Sequence, residues 1–382
     1  MEVGAPTKEE ARQVLKVLEV LKQASHDLQV HPSPSSAESN SSAIKALLEL
    51  ETESDSILST DPHLSALSHH LAALRTLIST LRGSRGKLDI KSFLARRVSS
   101  HEIFRLAGAI ESEIQAWIDR ETIEKLTRLA SRGSQEEDEL VSVLDQVRNR
   151  LSQGFNRELQ DLILKSKLYQ ELEWILCSKR FSRRVREGAG FAISELIKFN
   201  KDVFVGQVLL GQTVKTLLQI SSLSSLKVLC LLVKSIKSPL VDLLESDGEI
   251  PKIVGLMGVD ELGVRLMAMD CVLEMGYFGR KEAVEAMMDA GLIERLVELQ
   301  RCELGGDLIE MVRRGEEEVF LEKHPFASCV ARFAVQLEVG EGLRQREKRA
   351  FKQEIPKKVR EVSVSDAEAA TIVAEVLWGS SP

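Results

Sequence analysis

Proline is scarce in this 382-residue sequence, nine in all, and the three tryptophans, two tyrosines and twelve phenylalanines make up only 4% of it. Few prolines leave long helices uninterrupted, and few aromatics against a leucine-, serine-, alanine- and valine-rich background speak against strands. An all-β protein is excluded. No stretch of about 18 apolar residues occurs, so no membrane-spanning helix is expected. The opening MEVGAPTKEEARQVLKVL has no basic start ahead of an apolar run, and secretion is not expected. Met1-Glu2 offers no myristoylation site and the final Gly-Ser-Ser-Pro no prenylation box. Cys177, Cys230, Cys271, Cys302 and Cys329 stand far apart with no CxxC. In apolar, helical surroundings they read as reduced, buried small residues of an intracellular protein.

Catalytic and cofactor patterns are missing too. There is no GxxxxGK[ST] and no GxGxxG after a strand, and Gly188-Ala189-Gly190 falls inside an expected helix, where small residues permit close packing. His324 and Cys329 form only a weak nucleophile–base lookalike on a helix expected from Pro325. His63, His69 and His70 cluster without cysteine or a shared face, so no metal is expected. No cofactor and no enzymatic activity are implied.

What is present is charge, in near balance: 51 Lys and Arg against 58 Asp and Glu give a formal net charge of -7, with 29% charged and 43% hydrophobic residues. The length matches roughly two or three domains. The fold class expected is all-α, with an N-terminal helical bundle over residues 1–155, repeats over 156–345 and capping helices over 346–382. In the first region Thr7 and Glu10 form a capping box before Val14, Leu15, Leu18, Leu21 and Leu28. Residues 31–42, HPSPSSAESNSS, read as a flexible connection. Ile44 to Ile57 suggests a second helix, and Asp61-Pro62 starts a third that carries Leu64, Leu67, Leu71, Leu74, Ile78 and Leu81 and ends at Gly83 and Gly86. A longer run from Leu88 to Leu129 holds Phe93, Ile110, Ile114 and Trp117, with Ser99-Ser100 as a candidate split. Another helix follows from Glu137 to Leu151.

From about Leu159 a period near 40 residues sets in, the spacing of helical solenoids. Val185 and Val264 open VREGAGFAISEL and VRLMAMDCVLEM, 79 residues apart, and small or apolar residues match at Ala189/Ala268, Ala192/Cys271, Ile193/Val272 and Leu196/Met275. Gly211, Gly248 and Gly291 each precede an apolar helix. The copy at 221–247 looks degenerate, and Leu304–Lys323 reads as an insertion, placed at about 303–323.

A small-residue helix such as EGAGFAISELI, then an asparagine-led segment, a glycine and an apolar helix, resembles the armadillo repeat over roughly residues 160–345. With the helical N-terminal region, the chain resembles plant armadillo proteins whose relatives carry a U-box. Here no Cys-Pro dipeptide and no U-box-like run stands between the halves, so ligase activity is not implied. The resemblance implies a protein-binding scaffold whose third helices line a groove. The positions matching the family's Trp and Asn are Phe191 and Glu195, Asp270 and Glu274, and Arg332 and Gln336. None carries that pair, and the acidic positions suggest a basic partner segment. Phe191 as core and the carboxylates as solvated positions is the plain alternative.

Two basic clusters interrupt the acidic background: Lys179, Arg180, Arg183, Arg184 and Arg186, and then Arg344, Arg346, Lys348, Arg349, Lys352, Lys357, Lys358 and Arg360. They suggest contact with an anionic membrane or an acidic protein, unless they are solvated helix faces. Phe181 and Phe351 alone cannot supply a stacking platform, which speaks against sequence-specific nucleic-acid binding. An accessory role in a ubiquitin pathway is a further alternative. The expected location is cytoplasmic, with the nucleus or the plasma-membrane periphery as alternatives.

Overall fold

The computed structural model describes residues 67, 69–73, 76–77, 90–133, 136–304 and 324–378. The helices expected at 7–28 and 44–57, the start at Asp61-Pro62, the stop at Gly83 and Gly86, the segment 31–42, His63 and most of the insertion lie outside them. Among the described residues there is helix and no strand. The chain parts into two compact units, Met1–Lys125 with Asn156–Lys165, and Leu126–Phe155 with Ser166–Pro382.

Most of α1, Ile90–Arg132, belongs to the first unit. It runs unbroken through Ser99-Ser100, where a split was a candidate. Two serines cost a helix about half a kilocalorie each, and the periodic face of Ala107, Ile110, Ile114 and Trp117, all buried, carries it onward. α3, Arg157–Ser166, buries Leu159 and Ile163, and the Asn156 side chain caps its start by accepting from the Leu159 amide at 2.8 Å. Leu67 and Leu71 are buried helical residues of the same unit.

The second unit is built from helix triplets. α2, Glu137–Ser152, is followed by α4, Leu168–Cys177, and α5, Arg183–Phe199. Next come α6, Lys201–Leu210, α7, Thr213–Ile220, and α8, Leu223–Ile236. The third set is α9, Ser238–Ser246, α10, Ile250–Gly255 with a 3-10 turn, and α11, Leu262–Phe278. The fourth is α12, Lys281–Asp289, α13, Leu292–Leu304, and α14, Cys329–Val339. α15, Gln345–Val362, and α16, Asp366–Trp378, close the described chain. α5, α8 and α11 begin at intervals of 40 and 39 residues, and residues 305–323 lengthen the next interval to 67.

The last helix of each triplet packs on its counterpart, giving a ladder in the order α2, α5, α8, α11, α14, α16. In a second layer α4 packs on α7, the 3-10 turn after α10 on α13, and α13 on α15, and in a third α6 packs on α9 and α9 on α12. Close approach within the ladder explains its small residues. A Cβ on Gly190 would already touch Leu217 and Val228, and one on Gly276 would lie 2.9 Å from the Phe333 ring. α8 is a full rung: it packs between α5 and α11, so the copy that looks degenerate in sequence is complete in structure. Leu226, Val228, Leu229, Leu232, Val233 and Ile236 are all buried and span about 160° of its circumference, while Lys227, Leu231, Lys234 and Ser235 occupy the other side. Its start is fixed by a capping box in which the Ser222 and Ser225 hydroxyls each accept from the other's amide.

No single described helix is long and apolar enough to cross a membrane. α6 and α7 together reach that composition, but they bend by 65° and bury Phe204, Val208, Val214 and Leu217 in the protein.

Candidate functional site

The six expected groove positions fall on three rungs of the ladder. Phe191 and Glu195 on α5, Asp270 and Glu274 on α11, and Arg332 and Gln336 on α14 are all half-buried, and all but Gln336 stand between buried neighbours. Such positions keep part of each side chain on the surface while the backbone is held by the core. The order of the rungs adds residues that the sequence reading passed over. On α8, Leu231 and Ser235 stand 40 residues after Phe191 and Glu195 and are half-buried in the same way. That offset was available to find them. On α2, Arg148 places its guanidinium 5.9 Å from the centre of the Phe191 ring, a cation–π contact that extends the row by one helix.

The row's carboxylates have cations of their own. Glu195 pairs with Lys198 at 2.8 Å and Glu274 with Lys234 at 3.2 Å, the second pair bridging α11 and α8. Burial raises the Asp270 pKa above the usual aspartate range, Arg332 and Lys234 pull it down, and Glu274 adds to the rise. Burial lowers the Lys234 pKa, but the charges of Cys230, Glu274 and Asp270 and a hydrogen bond to Glu274 outweigh this, leaving it above an ordinary lysine. Arg332 donates to the Pro325 carbonyl at 2.7 Å, which aims its guanidinium back across the start of α14. Nearby, the wholly buried Cys271 thiol donates to the Leu226 carbonyl at 3.5 Å, and the proximity of Cys271 draws the Cys230 thiol pKa down. The surface therefore alternates in sign and is largely self-neutralised, rather than plainly acidic.

The basic clusters divide. Of the first, Lys179 and Arg180 are exposed in the turn before α5 and form no side-chain hydrogen bond or ion pair among the described residues. Arg183 lies 3.7 Å from Glu187, Arg184 bonds Asp138 at 2.9 Å, and Arg186 is turned inward to donate to the Leu176 carbonyl at 2.7 Å. Arg186 is thus a structural strut between α4 and α5 and no part of a basic patch. In the second cluster Lys348 is similarly committed, donating to the Glu338 and Gly340 carbonyls at 2.8 and 2.7 Å where α14 ends. The Arg344 amide donates to Glu347 at 2.8 Å, starting α15, while Arg344, Arg346 and Arg349 are exposed.

The nucleophile lookalike dissolves. α14 starts at Cys329 rather than Pro325, with 325–328 as a turn. The Cys329 thiol is wholly buried, donates to the Leu296 carbonyl at 3.0 Å and is pushed up to about 12 by burial. It is a core residue. Among the described residues no three His, Cys, Asp or Glu side chains gather as metal ligands.

Stacked triplets of about 40 residues, with one helix of each forming a continuous ladder, define an armadillo-like α-solenoid. No family model matches the chain and no curated protein matches it. Solved structures of similar fold do. A designed armadillo repeat protein is 16% identical, with 67% of this chain and 99% of that one covered and a TM-score of 0.44. Another designed armadillo repeat protein, in complex with the peptide (KR)4, is 17% identical over 68% of this chain and 98% of its own, at a TM-score of 0.42. The structure of Kap121p bound to Nup53p is 15% identical, covering 98% of this chain and 37% of that chain, at a TM-score of 0.47.

Proposed function

We propose that the chain is a non-catalytic protein-binding scaffold whose ladder surface holds an extended segment of a partner across α5, α8, α11 and α14. The observation that carries this is the row of half-buried, chemically mixed side chains at equivalent positions on successive rungs: Phe191 with Arg148, Leu231, Asp270 with Glu274, and Arg332 with Gln336. Rungs packed on one another keep these groups in register, and a solenoid that presents one position per repeat suits a ligand in extended conformation. Asp270 is partly desolvated without being sealed off, so an arriving partner strengthens its electrostatics while removing little further water.

The ion pairs shape the expected ligand. Because Glu195 and Glu274 already hold Lys198 and Lys234, a purely basic peptide must displace cations that are tethered nearby. A segment of mixed charge with apolar side chains for Phe191 and Leu231 fits better. Site-specific photo-cross-linking tests the reading. Benzoylphenylalanine at Leu231 or Gln336 is expected to give protein adducts in cells, and the same group at Lys252 or Glu285, away from the ladder, is not. Equal adducts at both sets, or adducts only at the latter, contradict the proposal.

A further inference from the structure

α15 carries a second surface that the ladder reading does not use. Arg346, Arg349, Gln353, Lys357 and Arg360 recur at steps of three or four residues, and every one is exposed. At 100° and 1.5 Å per residue they form a stripe about 80° wide and about 21 Å long. Phe351, Ile355 and Val359, on the opposite side, are buried at 3%, 1% and 0% and fix which way the stripe faces. Several exposed cations elsewhere in the solenoid are paired with carboxylates at helical spacing, as in Lys281 with Glu285, Arg295 with Glu298, and Lys198 with Glu195. Among the described residues none of the four cations of the stripe forms an ion pair, although Lys357 has Glu354 three residues before it and Glu361 four residues after it. Glu354 and Glu361 lie to one side of the stripe, and Glu347 is occupied at the start of the helix.

Beside the stripe, between α14, α15 and α16, lies a cavity of about 210 Å³. Ala334, Leu337, Ile355 and Val376 give it an apolar floor, and Lys348, Lys352 and Arg349 give it a cationic rim. Glu338 partly offsets that rim, with Lys352 at 3.4 Å. Arg349 belongs to both the cavity and the stripe, so the two are continuous. The volume is below the 300 Å³ or so where drug-sized ligand pockets begin, and it suits a single large side chain.

We infer that α15 and the adjoining cavity bind an acidic protein segment, whose carboxylates lie along Arg346, Arg349, Lys357 and Arg360 while one apolar side chain enters the cavity. Charge complementarity calls for an anionic occupant, and the recessed apolar floor separates the candidates. A bilayer needs apolar groups that protrude from the basic face, whereas the stripe offers only Gln353 and Ala350 between its cations. A nucleic-acid strand needs aromatic platforms, and Phe351, the only aromatic residue of α15, is buried.

The test uses the full chain and a fluorescein-labelled peptide of glutamates around a single phenylalanine, followed by anisotropy. Reversing the stripe with Arg346→Glu, Arg349→Glu and Lys357→Glu is expected to weaken binding about tenfold or more. These residues are exposed, so the melting temperature should hold. Replacing the peptide's phenylalanine by alanine is expected to weaken binding by about tenfold. Glu195→Lys with Glu274→Lys on the ladder should leave it unchanged, which separates this surface from the proposed function. The inference is overturned if stripe reversal changes affinity by less than about twofold, or if the alanine peptide binds equally well. It is also overturned if phosphatidylserine vesicles or a single-stranded oligonucleotide bind the stripe more tightly than the peptide does, and for vesicles a loss on Trp378→Ala would mark the lipid alternative.

Discussion

Glu173 ties one repeat to the next, and removing it should open that seam. From α4 its Oε1 accepts the Gln212 amide at 2.8 Å, the Thr213 amide at 3.1 Å and the Thr213 hydroxyl at 2.9 Å, so a side chain 40 residues upstream caps the start of α7. Tyr169 adds its hydroxyl to the same group, 2.9 Å from that of Thr213, and burial raises its pKa. A lost cap costs about 1 kcal/mol, up to about 2, and leaving the amide of wholly buried Thr213 unpaired adds about another 1 kcal/mol. Glu173→Ala should therefore cost about 2–3 kcal/mol, and Glu173→Gln, which keeps an acceptor oxygen, about 1 kcal/mol. Gly211 belongs to the same device, because a Cβ there would collide with the Glu173 carboxylate and with the Gln207 carbonyl. Gly211→Ala should cost less in the Glu173→Ala background than in the native one, by about 0.5 kcal/mol or more, since half of the collision has gone. Urea unfolding followed by circular dichroism reads the totals, and hydrogen exchange at 212–217 reads the place. A Glu173→Ala cost no larger than that of Glu173→Gln, or protection lost elsewhere than at α7, refutes the reasoning.

The terminal helix should be acid-sensitive. Arg301 on α13 grips Glu368 with two bonds of 2.7 and 3.0 Å, and this holds the Glu368 pKa below the usual glutamate range against the opposing effect of burial. A lowered folded-state pKa stabilises above the unfolded value, about 4.3, and that stability fades as pH falls below it. Glu375, raised by burial, acts with the opposite sign and favours the folded state at lower pH. Exchange protection of α16 is therefore expected to fall between about pH 5 and pH 3 in the native chain and to fall less in Glu368→Gln; parallel profiles would show that Glu368 is not responsible. The glycines offer a paired test of ladder packing. Gly206→Ala, exposed in mid-helix with nothing within 4 Å of the new Cβ, should stabilise by about 0.5–1 kcal/mol. Gly276→Ala must move the buried Phe333 ring, and should destabilise by about 1 kcal/mol despite the same helical gain; equal thermal shifts for the two would contradict the close approach of α11 and α14.

Which features were legible in the sequence follows from the range of the interactions that make them. The registers of α5 and α11 could be read because Ala189/Ala268 and Ala192/Cys271 lie where rungs touch, and contact demands small or apolar residues at a fixed phase. The positions Phe191, Glu195, Asp270 and Glu274 came instead from the resemblance to the armadillo repeat, carried onto helices in that register. The contact-phase logic failed at α8 because LSSLKVLCLLVKSI has neither glycine nor alanine to mark the phase that touches its neighbours. It could not find the Glu173 cap, which joins residues about 40 apart in sequence through one carboxylate. Charge was legible only as composition. Arg186 and Arg346 look equivalent in the sequence, yet Arg186 is bound by the Leu176 carbonyl and Arg346 faces solvent. The difference is set by whether a helix end lies within reach of the guanidinium, and that depends on tertiary packing.

This distinction bears on what each surface can select. On the ladder, Glu195 and Glu274 meet their lysines while partly exposed, and such pairs contribute only about 0–1 kcal/mol each. A partner can therefore exchange them at small cost, and its sign of charge matters less than whether its apolar side chains meet Phe191 and Leu231. Among the described residues the cations of the α15 stripe hold no ion pair to exchange, with Glu354 and Glu361 standing beside Lys357. An anionic segment arriving there gains its attraction outright, and most of that attraction is screened once ions crowd within a Debye length of about 8 Å. Under the two proposals one solenoid presents a surface that reads shape and register and another that reads charge, and the net charge of -7 reports neither, because it sums over both.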